Sequence, residues 1–202
     1  YTAFNGKDHW RIGMSRIKEK DFLNRNWEWS KPSLISPPGI GDKDASLFPQ
    51  KIGGKYAIFH RIEPCIWLDF EEDLDFGKDD WVEGEIVMQP RTSKWDDKKI
   101  GIGGQPIWTE EGWIILYHGV SSKDDGYRLG AALLDLENPL QVLARIDYPI
   151  FEAEADYENE GFRANTVFGC GNIVIEGLVY VYYGASDSYV AVATVPLENL
   201  LK

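Results

Sequence analysis

Short apolar strand segments with aromatic endings recur along the chain, and the last three of them start at a turn glycine. Their interior positions are β-branched or aromatic, which is typical of buried strands. The endings are Tyr1-Thr2-Ala3, Phe59-His60-Arg61, Tyr117-His118-Gly119 and Tyr182-Tyr183-Gly184. A second strand segment follows each ending, at residues 10–15, 64–68, 127–133 and 189–193. The pattern therefore predicts four related pairs of antiparallel strands.

The spacing of these pairs predicts an all-β fold. The endings that start at residues 1, 59 and 117 are 58 residues apart, and the last follows after 65. Radial repetition of such β-meanders gives a β-propeller, with about four strands in each blade. A β-sandwich with accidental likeness between its strands is the alternative, and the equal spacings favour the propeller.

The length of the chain predicts an incomplete ring. At 58 residues per unit, 202 residues make about three and a half blades. Because open sheet edges invite association, we expect either that part of the ring is omitted or that another chain completes it, as in a homo-oligomer. We therefore expect residues 1–202 to be a single propeller domain that lacks its N-terminal blade or blades, with Tyr1 starting inside a blade.

Composition narrows the class of protein. Hydrophobic residues make up 44% of the chain and aromatic residues 13%, which excludes a disordered tail. Twenty glycines and ten prolines suit many turns better than a helical bundle. No apolar run approaches the roughly 20 residues that span a bilayer, and residues 1–10 do not resemble a signal peptide. We expect no membrane partner.

Net charge and cysteine content exclude further kinds of partner and site. The net charge of −12 argues against nucleic acid, since phosphate backbones need a basic surface. Cys65 and Cys170 are the two cysteines, too few for a disulfide framework or a zinc cluster. A reduced, cytoplasmic setting is therefore expected, and no metal site is predicted.

Basic residues at strand ends are the first candidates for a site. Lys43 follows a loop rich in proline and glycine, Lys99 precedes the stretch Ile100-Gly101-Ile102-Gly103-Gly104, and His60, Arg61 and His118 end repeated strands. Converging cations and a histidine suit a phosphate. His60 and His118 hold equivalent places in the repeat, so both are expected to point to one axial region. The alternative is that each cation pairs with a surface carboxylate.

Aromatic and acidic residues are weaker candidates. Aromatic side chains near strand ends can stack on sugars or pack between blades; they are Trp108, Trp113, Tyr127, Phe168 and Tyr183. Asp187 follows the fourth repeated ending, where a carboxylate could accept sugar hydroxyl hydrogen bonds, whereas Asp135 is expected to end a strand in a turn. No spacing places two carboxylates together as glycosidases usually require.

Several of these segments together resemble glycoside hydrolase family 130, the β-mannoside phosphorylases and their hydrolase relatives. The likeness covers nearly the whole chain, in order and spacing. It rests on residues 47–52, 99–107, 109–113, 117–120, 127–135 and 182–187, which read LFPQKI, KIGIGGQPI, TEEGW, YHGV, YRLGAALLD and YYGASD.

The resemblance implies a five-bladed β-propeller and an inverting phosphorolysis. Inorganic phosphate attacks the anomeric carbon of a β-mannoside, a manno-oligosaccharide or mannosyl-glucose, and α-mannose 1-phosphate results. Phosphate is a co-substrate and no cofactor is implied. One aspartic acid supplies the proton, and an anionic nucleophile needs no second carboxylate.

Residue by residue, the resemblance assigns a phosphate set and a sugar set. Phosphate binding falls on Lys43, Arg61, Lys99 and His118. Contact with the mannosyl unit falls on Asp187, and the acceptor side is lined by Tyr127 and Phe168. Lys43 stands where relatives often have Arg, so charge is kept and bidentate geometry is lost. The hydrolase branch tends to lack the basic set, which favours a phosphorylase.

Two departures from the family pattern keep other functions open. Residues 164–170 read ANTVFGC where PNVVFPC is common, so the loop that carries Phe168 can differ in shape. The proton donor of the family lies in an Asp-Pro-Arg motif shortly before a Tyr-Thr-Ala strand end, and no Asp-Pro-Arg occurs here, so the donor is expected before Tyr1. Turnover by this chain alone would need a substitute acid such as Asp44 or Asp187. A non-catalytic sugar- or phosphate-binding propeller and a β-mannosidase are the alternatives.

Overall fold

The computed structural model describes residues 1–77 and 79–201, and strands dominate it. The strands are β1 (Thr2–Phe4), β2 (Trp10–Met14), β3 (Ser33–Leu34), β4 (Asp42–Leu47), β5 (Tyr56–Ile62), β6 (Cys65–Glu71), β7 (Glu85–Met88), β8 (Lys99–Ile102), β9 (Ile107–Trp108), β10 (Trp113–Val120), β11 (Tyr127–Leu134), β12 (Val142–Arg145), β13 (Val167–Ile175), β14 (Leu178–Ala185) and β15 (Tyr189–Pro196). Helical structure is short: α1 (Glu19–Leu23), α2 (Asp156–Asn159) and a 3₁₀ turn at Leu197–Asn199.

The strands of the described residues form four sheets in chain order. Their orders are β1-β2-β3, β4-β5-β6-β7, β8-β10-β11-β12 with β9 also paired to β10, and β13-β14-β15. At about four strands per blade, four sheets of which the first and last have three strands agree with the predicted three and a half blades.

The hairpins predicted from the repeat are confirmed. β5 pairs antiparallel with β6, β10 with β11, and β14 with β15. Asp135 ends β11 as expected, because its Oδ1 accepts hydrogen bonds from the backbone N–H groups of Glu137 and Asn138. A single 3₁₀ turn at Leu197–Asn199 follows the last strand. No helix of the described residues is long and apolar enough to cross a membrane.

The core lies between successive sheets. Ile12 and Ile58 join the first sheet to the second, and Phe59 packs with Tyr117 between the second and the third. The third and fourth sheets meet through a further cluster that includes Leu116 and Val181. Each sheet therefore buries both of its faces where it has a neighbour on each side, which explains continuous apolar runs such as the wholly buried β10.

The expectation that His60 and His118 share one region is wrong, because the repeat is displaced by one residue. Ile58 faces the preceding sheet, while Leu116, its partner at the 58-residue spacing, faces the following sheet. Since neighbouring strand residues point to opposite faces, Arg61 and not His60 is the structural equivalent of His118. His60 is buried on the other face, its Nδ1 2.9 Å from Asp42 Oδ2 and its Nε2 3.0 Å from a backbone carbonyl.

Candidate functional site

The structure brings together the four basic residues predicted to bind phosphate. Lys43 in β4 is the cross-strand partner of Arg61 in β5. Lys99 begins β8, and its partner in β10 is Val120, two residues after His118. Four strands of two neighbouring sheets thus bring Lys43, Arg61, Lys99 and His118 to one end of the molecule, and we call these four the basic cluster.

Arg61 is the buried centre of the basic cluster. It is 2% exposed, and acidic groups face it from two sides. Its Nε lies 2.9 Å from Asp44 Oδ2 and its Nη2 lies 3.4 Å from Glu63 Oε1. The Nε–H group does not point at Asp44 Oδ2, so these two atoms form an ion pair and neither has a hydrogen-bond partner. A buried guanidinium held in this way is fixed in direction and keeps donor capacity for an anion.

His118 lies behind Arg61 and is fully buried. Its Nε2 is 3.5 Å from Arg61 Nη1, and its ring packs against Phe168 at 4.5 Å and Tyr127 at 5.6 Å between centroids. Burial, and then the positive charges of Arg61, Lys99 and Lys43, hold the pKa of His118 well below its usual value. The imidazole is therefore neutral near pH 7. Its Nε2 also lies 3.5 Å from Asp44 Oδ2, so the ring edge faces both a guanidinium and a carboxylate.

Lys43 and Lys99 line an open cleft above Arg61. The cleft has a volume of about 540 Å³, and Trp10, Ile40 and Glu63 also line it. Lys43 Nζ lies 5.1 Å from the Trp10 ring centroid, and Lys99 Nζ lies 3.2 Å from Glu63 Oε1. Burial and the nearby Arg61 lower the pKa of Lys43. This cleft is the part of the basic cluster that an anion from solvent reaches first.

A β-bulge aims Asp44 into the basic cluster. The register between β4 and β5 shifts between Lys43 and Ser46, and Asp44 takes a left-handed φ of 56°. Non-glycine residues adopt this conformation rarely, and bulges redirect side chains beside functional sites. Burial raises the pKa of the Asp44 carboxyl group, and Arg61 opposes that rise. The bulge therefore supplies a buried carboxylate that the regular strand would have pointed elsewhere.

Gly101 in β8 leaves the space in which Asp44 and His118 meet. A Cβ atom at this position would lie 2.5 Å from Asp44 Oδ2 and 2.5 Å from His118 Cε1. Both distances are far inside van der Waals contact. The stretch Ile100–Gly104 matches no phosphate-binding fingerprint in sequence. Its contribution to the site is the space that Gly101 leaves by having no side chain.

Tyr127 and Phe168 form an aromatic wall behind the basic cluster. Tyr127 is 8% exposed, and its ring centroid lies 5.7 Å from both that of Phe168 and Lys99 Nζ. Arg163, from the loop before β13, stacks on Tyr127 with its guanidinium carbon 4.7 Å from the ring centroid. The predicted sugar-lining pair therefore touches the predicted phosphate set directly.

Asp187 lies in the turn between β14 and β15 and is exposed. Ser186 and Asp187 have φ values of 47° and 51°, as the two central residues of a type I′ hairpin turn require. Cys170 is the extra residue of a second bulge in β13, and burial raises the pKa of its thiol, with smaller contributions from the nearby carboxylates of Asp187 and Asp44. Asp187 thus belongs to the same end of the molecule, beyond the aromatic wall.

Three other aromatic candidates lie apart from the basic cluster. Trp113 is wholly buried and its Nε1 donates to the Leu136 carbonyl. Tyr183 is buried with its hydroxyl 2.6 Å from Glu158 Oε1. Trp108 is exposed in β9, paired with the opposite end of β10 from His118. Packing accounts for Trp113 and Tyr183.

Sequence reasoning does not single out Glu63 or Arg163. A signal for Glu63 exists, because it is an acidic residue two positions after Arg61, directly after the strand that carries Arg61. Arg163 lies in a loop, where no periodicity predicts direction. Within residues 1–77 and 79–201, no group of three or more His, Cys, Asp or Glu side chains is arranged to hold a metal ion.

The chain is similar to known proteins over its whole length. The model of glycoside hydrolase family 130, described as β-1,4-mannooligosaccharide phosphorylase, matches residues 1–202. A 1,2-β-oligomannan phosphorylase of Thermoanaerobacter sp. (strain X514) is 40% identical over 202 residues, 99% of this chain and 64% of that protein. A β-1,2-mannobiose phosphorylase of the same organism is 41% identical over 200 residues, 99% of this chain and 63% of that protein.

A solved structure shows the same fold. The β-1,2-mannobiose phosphorylase of Listeria innocua, in complex with β-1,2-mannobiose, superposes with a TM-score of 0.80 at 33% identity, covering 96% of this chain and 57% of that one. This likeness confirms the five-bladed propeller family predicted from the sequence, while the chain spans less than two thirds of the length of these relatives. The chain belongs to glycoside hydrolase family 130, the family of the β-mannoside phosphorylases.

Proposed function

We propose that this chain carries the phosphate- and sugar-binding part of an inverting β-mannoside phosphorylase. The observation that carries the proposal is the proximity of three cations: Lys43 and Lys99 line one cleft, and the buried Arg61, the cross-strand partner of Lys43, lies next to it with neutral His118 behind. Three cations around a cleft favour a dianion such as hydrogen phosphate. The names of the relatives, all phosphorylases, support the same reaction.

In the proposed reaction, each residue binds or orients. Lys43 and Lys99 neutralise the phosphate charge, Arg61 donates hydrogen bonds, and His118 positions the guanidinium of Arg61. A phosphate oxygen forms a bond to the anomeric carbon as the bond from that carbon to the glycosidic oxygen breaks. The departing oxygen takes a proton from a carboxylic acid, and α-mannose 1-phosphate is released. Holding the anion beside the sugar makes the attack effectively unimolecular.

The sugar would lie beside the cluster, at the aromatic wall. Tyr127 and Phe168 offer ring faces of the kind that pack on sugars, and Asp187 offers an acceptor for hydroxyl groups. A β-1,2-linked mannobiose or short oligomannan is the substrate we propose first, because the relatives named above carry that linkage in their names. Inorganic phosphate is the co-substrate, and neither a metal nor an organic cofactor takes part in this scheme.

We further propose that the protein works in the cytoplasm. Cys65 and Cys170 are both free thiols, and Cys170 is exposed. An exposed free thiol suits a reducing compartment.

The test compares Lys99→Ala with Lys98→Ala, its immediate neighbour. Lys98 pairs with Asp125 at the surface and serves as a control of equal charge change. In a protein that also carries the Asp-Pro-Arg segment of the family, with β-1,2-mannobiose and phosphate, Lys99→Ala should lower kcat/KM for phosphate roughly 100-fold or more, and Lys98→Ala by less than about twofold. Undiminished turnover by Lys99→Ala would refute the phosphate site.

Two other functions give different products in the same assay. A β-mannosidase would release free mannose without phosphate. A binding propeller without turnover would bind phosphate or mannobiose by calorimetry and give no product. The latter candidate follows from the sequence, which contains no Asp-Pro-Arg motif.

A further inference from the structure

One carboxylate oxygen lies between two cations of the basic cluster. Glu63 Oε1 is 3.2 Å from Lys99 Nζ and 3.4 Å from Arg61 Nη2. Glu63 also lines the cleft onto which Lys43 opens. The same oxygen atom thus pairs with two cationic groups that bind phosphate in the proposed reaction.

Glu63 differs from the other charged groups of the cluster in its freedom to move. Its side chain is 52% exposed, whereas that of Arg61 is 2% exposed and that of Asp44 is 10% exposed. It lies between β5 and β6, beyond the last residue of β5, where only the hairpin turn constrains it. An anion entering the cleft can therefore push the Glu63 carboxylate toward solvent, while Arg61 and Asp44 stay in place.

We infer that Glu63 is an internal competitor of phosphate that sets the affinity of the site for its anionic co-substrate. The inference rests on the proposed function. With Glu63 turned inward, Lys43, Arg61 and Lys99 face two carboxylates, so the cleft keeps little net positive charge. Phosphate binding replaces the Glu63 oxygen by a phosphate oxygen at Lys99 and Arg61. The free energy of phosphate binding is therefore smaller than it would be with three unpaired cations, because the ion pairs of Glu63 are lost when those of phosphate form.

Such competition has a chemical use in a phosphorylase. Phosphate attacks and sugar phosphate leaves from the same cleft, so a site that held either anion very tightly would release product slowly. Uniform tightening of binding does not raise the rate once phosphate exceeds its KM. A returning carboxylate keeps affinity moderate and helps to displace the product.

The experiment measures inorganic phosphate binding to the 202-residue chain by calorimetry, in wild type, Glu63→Gln and Glu72→Gln. Glu72 is an exposed partner of Lys55 and controls for the loss of one surface charge. Glu63→Gln keeps the shape of the side chain and removes its charge. We expect Glu63→Gln to tighten phosphate binding about three- to tenfold, and Glu72→Gln to change it less than twofold. Sulfate should tighten in parallel, because competition does not depend on a phosphate proton.

Each of the following outcomes would overturn the inference. Equal or weaker phosphate binding by Glu63→Gln, with normal binding by wild type, overturns the inference and leaves the proposed function intact. Weaker phosphate binding together with tighter sulfate binding shows that Glu63 accepts a hydrogen bond from bound phosphate, and overturns the inference that Glu63 lowers the affinity for phosphate. Absence of phosphate binding by wild type and both variants overturns the proposed phosphate site, and the inference with it.

Discussion

Gly101 is the residue on which the packing of the basic cluster most directly depends. The space above its Cα atom is occupied by the side chains of Asp44 and His118, which come from different sheets. Gly101→Ala places a methyl group 2.5 Å from atoms of both residues, and the crowding should lower the free energy of unfolding by about 1–3 kcal/mol. Denaturant unfolding measures that loss, and calorimetry should show weaker phosphate binding because Arg61 loses its supports.

Gly171 provides the matched control for this substitution. A Cβ atom there meets nothing within 4 Å. Gly171→Ala should therefore change the free energy of unfolding by less than about 0.5 kcal/mol. Equal stability of the two variants would show that the neighbours of Gly101 move aside without cost.

The neutral state of His118 makes a prediction about pH. Its pKa is held below the usual value in the folded protein, so the unfolded chain binds more protons as the pH falls through about 6.5. The contribution of His118 to stability is therefore present above that pH and is lost on acidification. His118→Gln cannot take up this proton, so the fall in stability between pH 7.5 and pH 5.5 should be smaller in the variant.

Paired unfolding curves at the two pH values measure this difference. The readout is the change with pH, so the packing lost on substitution does not obscure it. An equal pH-dependent fall in wild type and variant would mean that His118 is protonated in the folded protein, which would give it a charged role in the cluster.

At the scale of elements, a buried carboxylate ties the outer strand of the third sheet to its centre. Asp96 is fully buried, and its Oδ2 accepts hydrogen bonds from Arg145 at 2.6 Å, Arg91 at 3.0 Å and the Tyr117 hydroxyl at 3.0 Å. Arg145 ends β12, whereas Tyr117 lies in the central strand β10. Removing one partner of a buried ionic network leaves the other charges unpaired.

We predict that Asp96→Ala destabilises the protein by about 3–5 kcal/mol. Asp147 is the control, because it contacts Arg91 and Lys94 with its side chain 61% exposed. Asp147→Ala should cost less than about 1 kcal/mol. Thermal unfolding of both variants tests the difference, and a small cost for Asp96→Ala would mean that β12 holds its place by apolar packing alone.

The elements also show what the sequence could and could not predict. The hairpins were predictable because turn glycines and runs of β-branched residues specify them locally. The direction of His60 was not, since a one-residue displacement of the repeat reverses which face a side chain occupies. Asp44 and Cys170 depend on bulges, which insert one residue without any mark in the local pattern. The sites of greatest interest thus lie where strand regularity is interrupted.

At the scale of the whole molecule, the last sheet exposes an apolar face. The register of β13, β14 and β15 places five exposed apolar side chains on the side away from the third sheet; they are Ile173, Ile175, Tyr182, Val190 and Val192. Val190 is 86% exposed. Contiguous apolar faces on this scale are docking surfaces or sources of association.

We predict that the 202-residue chain self-associates through this face at concentrations of tens of micromolar. Val190→Thr with Val192→Thr keeps the strand preference of both positions and makes the face polar, so the average mass in light scattering should fall toward that of the monomer. Thr194→Val, which enlarges the same face, should act in the opposite direction.

The dependence of self-association on ionic strength is a second, independent test of this prediction. The net charge of −12 opposes contact between copies, and added salt screens that repulsion. Apolar association should therefore strengthen as ionic strength rises, whereas association through ion pairs would weaken. A wild-type chain that stays monomeric at high salt, or a double threonine variant that associates as strongly as wild type, would show that copies do not meet through the face of β13, β14 and β15.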